Sequence, residues 1–135
     1  MEENTQNSLE GLSIDAKKPQ VLPNGVHDGI IGNLKYRDGF AKNGKEYRYL
    51  DIVIDIEQDD DIITLKVGFP YNLTEVTVLG KFLRESGFKY NEGKSYKVIE
   101  IKNHLVNKKV TFQTHQETTD KGTFSNILRE TIKFV

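Results

Sequence analysis

Hydrophobic and polar residues alternate along most of the chain with a period of two, which predicts β-strands. The alternation is clearest over 47–57, where one face consists of Leu50, Ile52, Ile54 and Ile56. A polar turn separates this strand from a second alternating run over 63–69, so together they predict a hairpin with one buried face. An earlier run gives Val26, Ile30 and Leu34 a common parity, and glycines at 29 and 32 predict a bend or bulge there.

The hydrophobic period changes after Pro70, and the spacing of apolar residues over 77–86 predicts a helix. Thr74 or Thr77 suits its N-cap, and Gly87 suits the left-handed position after its end. The segment 91–105 is ambiguous and includes a candidate short strand over 96–101. Two further strands are predicted, one from Val110 and one over 123–134, after a polar loop at 117–122.

This order of elements is typical of one small fold. Five strands with a helix between the third and the fourth follow the chain order of the OB-fold, a small barrel. We therefore predict a mainly β protein, a five-stranded Greek-key OB-fold barrel with one helix between strands three and four.

The length of 135 residues suits one such domain. Residues 1–20 are polar, acidic and without apolar periodicity, so we predict a flexible N-terminal tail over 1–20 and the OB-fold domain over 21–135. The start of the chain lacks the pattern of a signal peptide, and no apolar stretch approaches the ~20 residues of a membrane helix. We expect a cytoplasmic protein that has no membrane partner.

Composition and motifs argue against an enzyme. The chain has no Cys, and its three His residues are scattered, which disfavours zinc and thiol chemistry. Phosphate-binding loops, nucleophile elbows and metalloprotease motifs are absent from the sequence. The acidic run over 51–61 lacks calcium-loop spacing, and its triple Asp suits a solvated hairpin turn. We therefore expect no catalytic residue, no metal and no cofactor.

Charge is distributed unevenly although the net charge is −1. Basic residues concentrate in 33–49, where they are interleaved with aromatic residues, and six acidic residues follow in 51–61. If the isoleucine row faces inward, alternation directs Tyr47 and Tyr49 outward, ~7 Å apart, a spacing that suits the stacking of separate bases. The acidic Asp51 and Asp55 share this outer face and would repel phosphates. Arg48 has the parity of the core and is expected at the mouth of the barrel.

Aromatic rings that stack on bases, together with cations that contact phosphates, are typical of proteins that bind single-stranded nucleic acid. Strand two, its neighbouring strand and the flanking loops contribute such side chains. The candidate nucleic-acid-binding residues are Tyr36, Arg37, Phe40, Lys42, Lys45, Tyr47, Arg48, Tyr49, Lys66, Phe69, Tyr71, Lys108, Lys109 and Lys121.

The layout also resembles a known family. The segment Gly-Ile-Ile-Gly-Asn-Leu at 29–34, a basic loop, and Tyr-Arg-Tyr-Leu-Asp-Ile-Val-Ile-Asp-Ile at 47–56 are similar to OB-fold single-stranded DNA-binding proteins of small phage and plasmid type. The similarity covers about 21–135 and is one of layout, without a signature motif. The resemblance implies that the DNA contacts a set of aromatic and basic side chains, namely Tyr47, Tyr49, Lys66, Phe40 and Lys42.

We therefore predict a non-catalytic single-stranded DNA-binding protein that acts in DNA replication or recombination. RNA as a ligand, and replication or recombination proteins as partners, are left open. Exposed sheet edges favour self-association, so a homo-oligomer is also left open. The alternative function is an OB-fold protein–protein interaction module, because aromatic and Arg residues also dominate protein interfaces. A metal-dependent nuclease has the least support.

Overall fold

The computed structural model describes residues 9–15 and 21–135. Most of the predicted tail over 1–20 therefore lies outside the described residues, and its described part, 9–15, is exposed. Leu22 begins the packed part of the chain: its side chain is fully buried and its backbone N–H donates to Ser125 Oγ at 2.7 Å. In the described part of the chain, no helix is long and apolar enough to cross a membrane.

Five strands form one antiparallel sheet, which confirms the mainly β prediction. They are β1 (Gly25–Phe40), β2 (Glu46–Gln58), β3 (Asp61–Pro70), β4 (Lys109–Thr119) and β5 (Gly122–Phe134). Their order across the sheet is β3-β2-β1-β4-β5. The edge strands β3 and β5 lie close together, but no backbone ladder joins them in the described region, so the sheet is not closed.

Two helices, not the predicted one, lie between β3 and β4: α1 (Val78–Glu85) and α2 (Val98–Leu105). The suggested short strand over 96–101 is wrong because Ile101 and Leu105, four residues apart, bury the same face of α2. The ends of α1 agree with the sequence. Thr77 Oγ1 accepts from the Gly80 N–H at 3.1 Å, and Gly87 follows the helix with a φ of 88°.

The hydrophobic core lies on the inner face of the sheet, under α1 and α2. The predicted row on β2, Leu50, Ile52, Ile54 and Ile56, is at most 2% exposed. Phe82 of α1 contacts the rings of both Phe69 and Phe134, at centroid distances of 4.6 and 5.0 Å. Aromatic contacts of this kind add to the free energy gained by burial.

The first strand contains the bulge that its glycines predict, but its parity differs from the prediction. The register against β2 shifts between Ile31 and Asn33, so Gly32 is the extra residue. Ile31 and Leu34 are therefore both buried, whereas Val26 and Ile30 are 68% and 42% exposed. A bulge exchanges the two faces of a strand, and strict alternation cannot continue through it.

Candidate nucleic-acid interface

The β1–β2 hairpin extends beyond the core and carries most of the predicted site. Its pairing continues from Tyr36 opposite Leu50 to Phe40 opposite Glu46. The predicted basic loop is therefore shorter than expected, and Arg37 and Phe40 belong to a strand. Gly39 leaves room for the Tyr47 ring, because a Cβ there would lie 2.5 Å from the hydroxyl oxygen of Tyr47. The tyrosine ring covers the glycine across the two strands.

Strand alternation divides the predicted residues between two faces of this hairpin. Arg37, Tyr47 and Tyr49 lie on the face opposite the core, together with Lys66 of β3; we call this the outer face. Tyr36, Phe40 and Arg48 share the parity of the core but lie beyond it; we call this the inner face, and Tyr36 contacts Tyr71 there. Phe69 belongs to neither face. Its ring is 2% exposed, so its prediction as a ligand contact is wrong: the ring packs in the core.

On the outer face, Tyr47 and Tyr49 stack against each other. Their ring centroids are 6.1 Å apart with an interplanar angle of 27°, and both residues are half-buried. The rings point away from the isoleucine row, as predicted. They contact each other directly, so a base inserted between them would have to separate the pair. Only their outward surfaces are open to a ligand.

Arg37 lies against the same two rings. Its guanidinium carbon is 4.8 Å from the Tyr49 centroid and 5.8 Å from the Tyr47 centroid, within the range of cation–π interaction. A planar guanidinium can itself stack on a base. The outer face is thus a layer of two phenol rings and one guanidinium, and the cation covers part of the ring surface that the sequence suggested was open.

A buried carboxylate fixes the position of Arg37. Asp51 is 4% exposed, and its two oxygens accept from Arg37 Nε at 2.8 Å and Nη2 at 3.1 Å. The hydrogen bond to Asp51 is the main cause that raises the pKa of Arg37 above its ordinary value. Asp51 is therefore not the exposed, phosphate-repelling charge that alternation suggested. The pair also leaves Arg37 with little net charge to offer a phosphate.

Unpaired cations surround this layer. Lys42 and Lys45 lie in the turn of the hairpin, and Lys66 lies on β3 opposite Val53. All three are exposed, and within the described residues none of them forms an ion pair. Lys35 adds a fourth exposed cation, since it lies opposite Asp51 in the β1–β2 register. Lys35 is not among the site residues predicted from the sequence, although alternation from Leu34 places it on this face.

The inner face also presents aromatic rings. Tyr36 and Tyr71 are 47% and 42% exposed and meet edge to face at 5.2 Å and 73°. Partial desolvation, then the charge and hydrogen bond of Asp38, raises the pKa of Tyr36, so its hydroxyl is protonated at neutral pH. Phe40 is 73% exposed. Arg48 is exposed, and its Nε lies 3.2 Å from Glu46 Oε1.

The remaining predicted cations lie away from the hairpin tip. Lys109 pairs with Ile30, and the backbone of Lys108 contacts Ile31, on the half of β1 that pairs with β4. Lys121 lies in the tight turn between Thr119 and Gly122. The β1–β2 register runs from Ile30 to Phe40 and the β1–β4 register from Gly25 to Ile30, so the two groups occupy different parts of the sheet.

The acidic residues over 51–61 lie partly on β2 and partly in the turn that follows it. Asp51 is paired with Arg37, and Asp55 accepts from the Thr64 hydroxyl at 3.0 Å. Asp59 and Asp60 form the turn between β2 and β3. Across 9–15 and 21–135, no group of three or more His, Asp or Glu residues is arranged to hold a metal ion.

No protein-family model matches this sequence, and no curated protein is significantly similar to it. Function is therefore inferred from the hairpin, its two aromatic faces and its cations.

Proposed function

We propose that this protein is an OB-fold barrel that binds single-stranded DNA without catalysing a reaction on it. The observation that carries the proposal is the outer face of the hairpin: two half-exposed tyrosine rings and a guanidinium in one layer, with exposed lysines around it. Base stacking and phosphate contact are the two interactions that hold single strands without reading sequence.

The strand arrangement supports the fold part of the proposal. In a five-stranded OB barrel, the third and fifth strands complete the ring of strands that begins with β1, β2 and β4. Here β3 and β5 are the two edges, and they approach each other. Arg129 Nη1 donates to the carbonyl oxygen of Gly68 at 3.0 Å across the gap. A side chain thus bridges the position where a closed barrel has backbone hydrogen bonds.

Stacking and charge are divided among different residues of the outer face. Asp51 neutralises Arg37, so the guanidinium contributes a flat surface more than a charge. Phosphates are contacted by the unpaired lysines at 35, 42, 45 and 66. In this arrangement a base stacks on the outward surface of the tyrosine–arginine layer, and the sugar–phosphate backbone of the DNA runs beside that layer, next to the lysines.

A pair of double variants tests the stacking. Tyr47→Leu with Tyr49→Leu keeps apolar side chains on the outer face of β2 but removes both rings. Tyr47→Phe with Tyr49→Phe keeps the rings. A stacked base contributes about 1–3 kcal/mol, so we expect the leucine variant to bind labelled oligo-dT about 5- to 150-fold more weakly in fluorescence anisotropy. The phenylalanine variant is expected to bind like the unmodified protein. Equal affinity of all three proteins would show that the rings do not hold bases.

The salt dependence of the same titration tests the phosphate contacts. For a single strand, removal of one phosphate contact reduces the steepness of log K against log salt by about 0.7. We therefore expect Lys42→Ala with Lys45→Ala to reduce the slope by up to about 1.4. Lys81→Ala with Lys133→Ala is the matched control, since it removes two exposed lysines that lie outside the hairpin. An unchanged slope in the double variant would contradict contact at the hairpin turn.

A protein-binding function is the second candidate, and Phe40 is the observation that favours it. An aromatic ring 73% exposed near the tip of a hairpin is a common anchor for a protein partner. A gel shift with single-stranded DNA at low and moderate salt distinguishes the two functions. No shift at micromolar protein would favour the protein partner, and cleaved product after incubation with magnesium would instead indicate a nuclease.

A further inference from the structure

A cleft lies beside the hairpin, and Tyr71 is the one residue predicted from the sequence that lines it. It opens between the segment 71–74, which follows β3, and the segment 90–98, which leads into α2. Its volume is about 390 Å³, within the usual range for sites that hold a small organic group. Leu50, Leu79 and Ile101 contribute apolar surface from the core. We call it the tyrosine cleft, because Tyr71, Tyr90 and Tyr96 line it.

Hydrogen bonds fix two of these rings. Tyr90 Oη accepts from Arg84 Nη1 at 2.9 Å and donates to the Thr74 carbonyl at 3.0 Å. Tyr96 Oη accepts from the Asn91 N–H at 2.7 Å, and the Tyr90 and Tyr96 rings meet edge to face at 6.4 Å. The Tyr90 hydroxyl both donates and accepts, so this side chain offers a ligand its ring surface. Tyr96 offers its ring surface and the hydrogen of its hydroxyl group.

The polar groups of the cleft suit a neutral ligand better than an ionic one. Asn72 and Asn91 contribute carboxamides that make no side-chain hydrogen bond within the described residues. A carboxamide can pair with the donor and acceptor groups along the edge of a base. Lys94 and Glu92 both lie on the cleft, so their opposite charges give no net attraction for a phosphate.

The cleft is continuous with the inner face of the hairpin. Tyr71 lines the cleft and also contacts Tyr36 at 5.2 Å. Tyr36 and Phe40 lie on the same face of β1, and both are exposed. Exposed aromatic rings therefore lie along the inner face between the hairpin tip and the cleft, with Asp38 between Phe40 and Tyr36.

We propose that the tyrosine cleft binds one nucleobase of a single strand held by the hairpin. The flat base contacts the tyrosine rings and the apolar floor, its edge meets the asparagine carboxamides, and its phosphate remains outside. This inference rests on the proposed binding of single-stranded DNA. The cleft would be a second base site, separate from the one on the outer face.

Methyl NMR of the unmodified protein tests the inference directly. Leu79 and Ile101 are in the cleft floor, whereas Leu22 is buried against Ser125 and serves as the control methyl group. On titration with oligo-dT, we expect the Leu79 and Ile101 methyl signals to shift while those of Leu22 stay in place. Binding by anisotropy without shifts at Leu79 and Ile101 would overturn the cleft site but leave the proposed function intact. Absence of any binding would overturn both.

A blocking variant gives an independent result. Ser95 is exposed, lines the cleft and makes no side-chain hydrogen bond within the described residues, so Ser95→Trp fills the cleft with little cost to the fold. We expect Ser95→Trp to bind oligo-dT about tenfold more weakly and to abolish the Leu79 and Ile101 shifts. Ser95→Ala is the matched control and should bind normally. Normal binding by a folded Ser95→Trp protein, with melting temperature unchanged, would contradict a base in the cleft.

Discussion

The contact between Asp51 and Arg37 changes the role that each residue can have in binding. In the sequence, one is an acidic residue on a binding face and the other a free cation. In the structure they form a two-point pair, which removes the repulsion expected from Asp51 and holds the guanidinium against Tyr49. A planar guanidinium in a fixed orientation suits stacking, so the pair prepares a surface more than a charge.

Gly80 is the second residue whose importance appears only in the folded chain. Glycine inside a helix is unfavourable by up to ~1 kcal/mol relative to alanine. A Cβ at Gly80 would overlap the carbonyl oxygen of Thr74 and would lie 2.6 Å from the Tyr90 hydroxyl oxygen. The glycine therefore lets the segment after β3 pack directly on α1, beside the tyrosine cleft.

We predict that Gly80→Ala destabilises the protein despite its higher helix propensity. The overlap with backbone atoms outweighs the propensity gain, and we expect the free energy of unfolding to fall by about 1–3 kcal/mol in urea denaturation. Lys81→Ala, at the exposed neighbouring position, is the control and should change stability by less than about 0.5 kcal/mol. A Gly80→Ala protein more stable than the parent would show that the close approach does not exist.

Among the elements, the β2–β3 hairpin has a turn whose second residue is less favourable than glycine. Gln58 pairs with Asp61, which leaves Asp59 and Asp60 as a two-residue turn. Their φ angles are 51° and 66°, so both are left-handed. Turns with two positive φ angles favour Asn, Asp or Gly at the first position and Gly at the second, so Asp60 is the less favourable of the two residues.

We therefore predict that Asp60→Gly stabilises the protein by about 0.5–1 kcal/mol. The change removes one negative charge from an acidic turn as well, so Glu57→Gln, an exposed neighbour that also loses one charge, is the control. Thermal unfolding of the three proteins measures the effect. If Glu57→Gln raises the melting temperature as much as Asp60→Gly does, charge and not backbone geometry limits the stability of this hairpin.

For the sheet as a whole, the open edge between β3 and β5 is the feature that matters most. Arg129 Nη1 bonds to the Gly68 carbonyl, and the guanidinium lies 5.6 Å from the Phe69 ring centroid. The pairing of β4 with β5 is irregular: Thr111 pairs with Lys133, whereas Gln113 pairs with Leu128. Arg129 is one of the unpaired residues of β5 between these two positions. One side chain thus joins two strands that the backbone does not.

We predict that Arg129→Met lowers the free energy of unfolding by about 1–2 kcal/mol, since it removes a charged donor and a cation–π contact but keeps the apolar stem. Lys133→Met, an exposed position on the same strand, is the control. Hydrogen exchange should also become faster in β3 of the Arg129 variant. Stability and exchange that match the control would mean that the edges are held together by the core alone.

Short-range physics made several parts of the fold predictable from sequence. The inward row on β2, the N-cap at Thr77 and the position of Gly87 depend on strand alternation and on local backbone conformation. These features involve residues a few positions apart, so their pattern is complete within a short segment. The outward direction of Tyr47 and Tyr49 follows from the same alternation.

The parity of β1, the pairing of Arg37 with Asp51 and the tyrosine cleft all depend on how distant segments pack. The bulge at Gly32 exchanges the faces of β1, and its position depends on the register against β2. The pair joins residues 14 positions apart, and the cleft joins segments from both sides of α1. Contacts of this kind arise when separate elements pack together, and no periodicity within one element encodes them.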